Sequence, residues 1–101
     1  MIKHIVMFKL KDEAEGKSRE ENIKEALEKL SGFKASIPEL IEFKVVTNSE
    51  KAPQDNCTLA LICDFKDIDG LNAYQVHPVH KAFGAFIAPR HEGRSCIDYE
   101  Y

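Results

Sequence analysis

The stretch Tyr74-Gln75-Val76-His77-Pro78-Val79-His80, set against Lys3-His4-Ile5-Val6-Met7-Phe8-Lys9 near the other end of the chain, decides how the sequence is read. A proline disfavours helical geometry in the residue before it, so a helix that starts on an Asp67 cap and carries Ile68, Leu71 and Tyr74 has to break at His77. Pro78 has no amide hydrogen and a fixed φ, which suits the first position of a new helix. The spacing predicts that second segment over residues 79–87 at a changed angle, with His80, Phe83 and Ile87 on one face. His77 then reads as a helix-end cap rather than as a reactive group.

Outward from this break, Ile2 to Leu10 alternates, with Ile2, His4, Val6, Phe8 and Leu10 on one face and Lys3, Ile5, Met7 and Lys9 on the other. This is a strand with two partly apolar faces. After the charged, Gly16-containing stretch from Lys11 to Lys17, Ser18 followed by Glu21 has the spacing of a capping box and starts a helix. Ile23, Ala26, Leu27 and Leu30 form its apolar stripe, opposite Lys24, Glu25, Glu28 and Lys29. Ser31-Gly32 and Pro38 end it. Leu40 to Thr47 reads as a second strand with Ile41, Phe43 and Val45 on one side, followed by a polar loop from Asn48 to Asn56. Cys57 to Phe65 is the third strand, and Arg94 to Tyr101 the last, after Pro89 and Gly93. The order β-α-β-β-α-β is the ferredoxin-like α+β pattern, a four-stranded antiparallel sheet with helices on one face.

Two helices cover only one face of such a sheet, yet Ile5, Met7, Ala60 and Ile62 fall on the other. A contiguous apolar sheet face is an interaction surface, and pairing two copies about a two-fold axis buries it. The expectation is a homodimer packed through the open sheet faces, against the alternative that Lys3, Lys9, Glu42 and Lys44 keep that face wet.

Composition bounds the rest. The 101 residues, 44% hydrophobic and 31% charged, suit a single domain over 1–101 with one core. Net charge is −3, and the 14 basic and 17 acidic residues are intermixed, which argues against nucleic acid as a partner. The lysines at 3 and 9 interrupt what would otherwise be the apolar run of a signal peptide, and nothing approaches the roughly 20 apolar residues of a membrane span. Cys57, Cys63 and Cys96 lack CxxC spacing and sit in apolar segments, so they read as buried free thiols in a cytoplasmic protein.

A candidate site emerges from the same faces. His4 lies among Val6 and Phe8, while Tyr74, His80 and Phe83 lie on the segments that pack over them. Imidazoles and a phenol in an apolar cavity make a plausible small-molecule pocket. His80 could serve as general acid or base, Tyr74 could stabilise an oxyanion and His4 could orient either partner. The structural alternatives are a core His4 bonded to a backbone carbonyl or Tyr99, and a core Tyr74 with its hydroxyl at the rim. His77 and His80 are three apart, but Pro78 turns the backbone between them and no third ligand follows, so no metal is expected. His91, in a loop of charged residues, is expected to be solvated.

With these residues in view, the chain resembles the stress-responsive A/B-barrel (Dabb) domain family of the dimeric α+β barrel superfamily. The resemblance spans essentially the whole chain. It rests on Lys3 to Lys9, the Ile37-Pro38 turn, Phe65, Tyr74 through His80, and the closing Asp98-Tyr99-Glu100. It implies a ferredoxin-like protomer whose sheet joins its mate's to form a dimeric barrel, and no cofactor is expected. A plant polyketide cyclase of this fold resembles the chain at His4, Tyr74 and His80; there the match to His80 is the acid/base and the other two assist an aldol-type cyclisation. The superfamily also holds haem-degrading monooxygenases, but the chain has no Trp to match theirs. Three functions follow as expectations: a protein that binds a small apolar or aromatic molecule, a cofactor-independent cyclase- or isomerase-like enzyme, and a purely structural assembly module.

Overall fold

In the computed structural model, which describes residues 1–101, the central strand β1 (Ile2–Leu10) is paired on both sides. The short strands β2 (Glu13–Ala14) and β3 (Lys17–Ser18) follow, then α1 (Arg19–Leu30), α2 (Phe33–Ser36), β4 (Glu42–Thr47), β5 (Leu59–Phe65), α3 (Ile68–Val76), α4 (Pro78–Ile87) and β6 (His91–Glu100). The main sheet runs β4-β5-β1-β6 with every neighbouring pair antiparallel. This is the ferredoxin-like α+β fold. No helix is long and apolar enough to cross a membrane.

Local chemistry explains most of these boundaries. Ser18 Oγ accepts from the Glu21 amide while the Glu21 carboxylate accepts from the Ser18 amide, which completes the capping box of α1. Asp67 caps α3 by accepting from the Gly70 amide. Glu15 and Gly16, both at positive φ, turn the β2–β3 hairpin, where Gly16 is the residue suited to that geometry. The Lys11–Lys17 stretch therefore holds a hairpin that its charged composition does not announce.

The core lies between the helices and one sheet face, and joins Ile2, Val6, Phe8 and Leu10 of β1 to Leu59, Leu61, Cys63 and Phe65 of β5, with Ala26, Leu30, Phe33, Leu71, Tyr74, Phe83 and Ile87 above. Several expectations need correction. Leu27 is exposed, while Asn22 is buried with both ends of its amide bonded: Nδ2 donates to the Ala14 carbonyl at 3.1 Å and Oδ1 accepts from Arg90 Nε at 3.1 Å. Phe33 opens the short helix α2 and stacks on Phe43. Strand β4 begins at Glu42, so Ile41 is exposed and Leu40 is the buried residue. Strand β5 begins at Leu59 rather than Cys57; Thr58 just before it donates its amide to the Phe8 carbonyl at 2.7 Å and accepts from the Leu10 amide through its hydroxyl at 2.9 Å. Strand β6 begins at His91, earlier than Arg94. Of the three thiols only Cys63 is buried; Cys57 is half-buried and Cys96 is exposed.

The open face carries two cross-strand rows. One runs Ile62–Ile5–Ile97 and the other Val46–Ala60–Met7. Ile97 is 60% and Tyr99 42% exposed, which is high for large apolar side chains on a sheet. Lys3 and Asp64, paired at 3.4 Å, lie beside the first row.

Replacing the cap in Ser18→Ala is expected to cost about 1 kcal/mol of stability, read as a lower urea midpoint at fixed protein concentration with an unchanged m-value.

Candidate active site

Strand β6 is the edge of the sheet next to β1, and its register decides what surrounds β1's inner face. His4 stands opposite Asp98, Val6 opposite Cys96, Phe8 opposite Arg94 and, past a bulge at Lys9/Leu10, Leu10 opposite His91. Residues directly opposite one another share a face, so all of these point to the helix side. The helices do not cover β6, and a cavity of about 130 Å³ remains between the edge strand, β1 and the α3–α4 pair. Its wall includes His4, Val6, Phe8, Tyr74, His80 and Phe83, the six residues expected from the sequence, together with Leu61, Ile87, His91 and Arg94.

The break at His77 aims His80 into this space. His77 has an extended backbone, with φ −64° and ψ 138°, and serves both helices. Its amide donates to the Tyr74 carbonyl at 3.1 Å, and its Nδ1 accepts from the Val79 amide at 3.1 Å. The side chain is thereby committed to capping. Pro78 at the head of α4 turns the chain so that the His80 ring lies 4.5 Å from the Tyr74 ring, with His4 6.1 Å from Tyr74 on an edge.

His4 is 1% exposed and its Nδ1 is hydrogen-bonded to Asp98 Oδ1. The partner is Asp98, rather than a backbone carbonyl or Tyr99, because Asp98 is the residue directly across the ladder. A carboxylate can only accept, so Nδ1 carries the hydrogen and Nε2 is the remaining nitrogen. Tyr74 is 1% exposed, so its hydroxyl is interior rather than at a rim, and its oxygen accepts from the Cys63 thiol at 3.9 Å. Burial pushes the Cys63 thiol up to about 12 and raises Tyr74 well above an ordinary phenol, so both stay neutral. Burial, aided by the charges of His4, Arg94 and His77, holds His80 below its usual value, against the pull of a backbone group of Gln75. A neutral imidazole beside a neutral phenol can take a proton or hold a polar ligand atom.

His91 is not solvated in a loop. It stands on β6, packs on the Phe8 ring at 5.5 Å and has a buried Nδ1 without a hydrogen-bond partner. His91, Arg94 and Asp98 were not among the expected site residues; the signal that could have found them is their alternation opposite Leu10, Phe8 and His4. The histidines do not join other donors in a group of three able to hold a metal ion. The largest hollow, about 560 Å³, lies elsewhere: it opens on the bare sheet face beneath the loop at 48–57, lined by Met7, Val46 and Ala60. Its lining holds no histidine or carboxylate, and it is a broad surface trough.

The folded chain disfavours the His80 imidazolium, so the unfolded chain binds that proton first as pH falls. His80 is therefore expected to leave stability intact above its unfolded value of about 6.5 and to lower it as pH drops below. Urea midpoints taken from about pH 8 to about pH 5 should show this decline, and His80→Gln should flatten it; an unchanged slope in that variant would assign the decline to other groups.

The sequence model of the stress responsive A/B barrel domain (Dabb) matches residues 2–101. No curated protein matches the chain. Among solved structures, a dimeric ferredoxin-like protein of unknown function from Thermobifida fusca is 30% identical, with a TM-score of 0.85 over 99% of this chain and 90% of its own. A dimeric protein of unknown function and ferredoxin-like fold from Bacteroides fragilis is 32% identical, with a TM-score of 0.82 over 99% of this chain and 95% of its own. A hydroxynitrile lyase from Passiflora edulis, 21% identical, shares the fold with a TM-score of 0.77 over 97% of this chain and 90% of its own. With a family match across almost its entire length and relatives at this identity, the chain belongs to the stress responsive A/B barrel domain family.

Proposed function

We propose that the chain works as a homodimer, packed through its open sheet faces into a barrel, in which each protomer binds a small apolar or aromatic molecule between sheet and helices. The observation that carries the binding reading is the convergence of His4, Tyr74 and His80 on one cavity with otherwise apolar walls. The polar groups fix a ligand's orientation and Val6, Phe8, Leu61, Phe83 and Ile87 supply its contact area. Dimerisation is supported by the apolar rows on the open face and by the dimeric relatives from Thermobifida fusca and Bacteroides fragilis.

A second reading is favoured by the state of His80. An imidazole kept neutral by burial beside a neutral phenol has the properties of a general base with an oxyanion donor at hand. On this reading the protein is a cofactor-independent, cyclase- or isomerase-like enzyme in which His80 moves the proton, Tyr74 donates to the developing oxyanion and the Asp98-anchored His4 orients the pair. The Tyr74 hydrogen is available for this, because its oxygen accepts rather than donates in the contact with Cys63. A purely structural assembly module is the weakest reading, since the space between His4 and His80 is a cavity rather than packed side chains.

Ligand binding is tested by thermal unfolding with ring-sized probes. A probe present at about a hundred times its Kd should stabilise the native state by about 2.7 kcal/mol, and His80→Ala or Tyr74→Phe should shrink that shift. A panel of such probes with no effect on the melting temperature would rule the reading out. For the enzyme reading, His80→Ala should abolish turnover with the dimer intact; surviving turnover removes His80 from the mechanism. Light scattering at micromolar concentration should give a dimeric mass for the native chain and a monomeric one for Ile97→Lys, whereas a monomeric native chain contradicts the assembly.

A further inference from the structure

The three arginines of the chain are used differently. Arg19 is paired with Asp12. Arg90 is held by the Asn22 amide at 3.1 Å and the Phe86 carbonyl at 2.6 Å, with its guanidinium 4.0 Å from the Phe86 ring. Arg94 has no carboxylate partner among the ion pairs of the protomer. Its one side-chain hydrogen bond is a weak one, Nη1 to Cys96 Sγ at 3.7 Å. A guanidinium has five donors in a planar fork, so most of this group's capacity is free. It stands opposite Phe8 on the helix side of the edge strand, at the wall of the His4–Tyr74–His80 cavity.

The rest of the cavity points the same way. Its titratable lining consists of His4, Tyr74, His80, His91 and Arg94, with no acidic side chain among them. Asp98, the carboxylate opposite His4 on β6, is engaged by it. His91 brings a buried Nδ1 that has no partner in the protein. The Arg94 charge reaches the interior, where it opposes protonation of His80 and favours ionisation of Tyr74. A cavity with donors and a cation but no anion is complementary to a negatively charged group.

We propose that this cavity selects the anion of a compact organic acid, whose carboxylate meets Arg94 while its apolar body lies among Phe8, Leu61, Phe83 and Ile87. The inference rests on the reading of this cavity as a small-molecule site and names the ligand class that reading leaves open. About 130 Å³ is close to the roughly 150 Å³ of a cavity known to admit benzene, so the enclosed body is about one six-membered ring. Arg94 forks onto the carboxylate, which an alcohol or amide of the same shape could not match. Arg94 acts here as a specificity-determining residue and takes no part in proton transfer.

The test uses the full chain and probes of matched shape: benzoate, its neutral counterpart benzamide, and inorganic phosphate as an anion without an apolar body. Titrations followed by amide shifts of the cavity residues should give benzoate a Kd lower than that of benzamide by about tenfold, with phosphate much weaker. Raising the salt concentration should narrow the benzoate-to-benzamide ratio, and Arg94→Gln should bring it to about one. The native chain's ratio is informative without any variant. Equal affinities in the native protein, or a ratio retained in Arg94→Gln, overturn the role of Arg94 while leaving the cavity as a site for neutral rings. Phosphate binding as tightly as benzoate overturns the need for an apolar body. Failure of both rings to bind overturns the small-molecule reading and this inference together.

Discussion

An imidazole taken out of water in the middle of a sheet needs a partner, and the bond between His4 Nδ1 and Asp98 meets that need from the far end of the chain. An unpaired polar group in that position would cost about 1–3 kcal/mol. Because side chains alternate with a period of two, the bond also selects the register in which β6 joins β1: a slip by one residue would turn Asp98, Cys96 and Arg94 to the opposite face. The β6 strand lies at the sheet edge without helical cover, so packing alone specifies its register weakly. The polar pair at one end of the strand thus reinforces the register that places Arg94 and His91 in the cavity wall.

The same strand divides the molecule's tasks between its two faces. The inner residues of β1 are core and cavity wall at once, with Val6 and Phe8 contributing to both. The outer residues, Ile5 and Met7, sit at the centre of the apolar rows of the open face. Mutations on the two faces should therefore be separable, one set acting on ligand and the other on assembly, although they alternate along a single nine-residue segment. The edge strand couples them, since Ile97 lies on the outer face between Cys96 and Asp98 of the inner one.

Features written in local sequence were legible without the structure. The capping box at Ser18, the break at His77-Pro78 and the alternation of β1 and β5 each depend on residues a few positions apart, and from them follow the fold order and the six expected members of the larger cavity wall. What was not legible depends on tertiary partners. Asn22 looks like a surface residue until Ala14 and Arg90 are brought to it. His91, Arg94 and Asp98 carry a site only because β6 is antiparallel to β1, a pairing whose members are more than eighty positions apart in the chain. The depth of the Tyr74 hydroxyl depends likewise on a partner distant in the chain, the Cys63 thiol that donates to its oxygen.

Whether the Asp98 bond orders His4 and, through it, the cavity is decided by long-range proton–nitrogen correlation spectra of the imidazoles, recorded on the native chain and on Asp98→Ala. The expected result is a His4 ring with hydrogen on Nδ1 in the native protein, lost in Asp98→Ala together with shifts at the Arg94 and His91 amides. A His4 ring with hydrogen on Nε2 alone in the native protein, or spectra unchanged at His4, Arg94 and His91 in the variant, would contradict it.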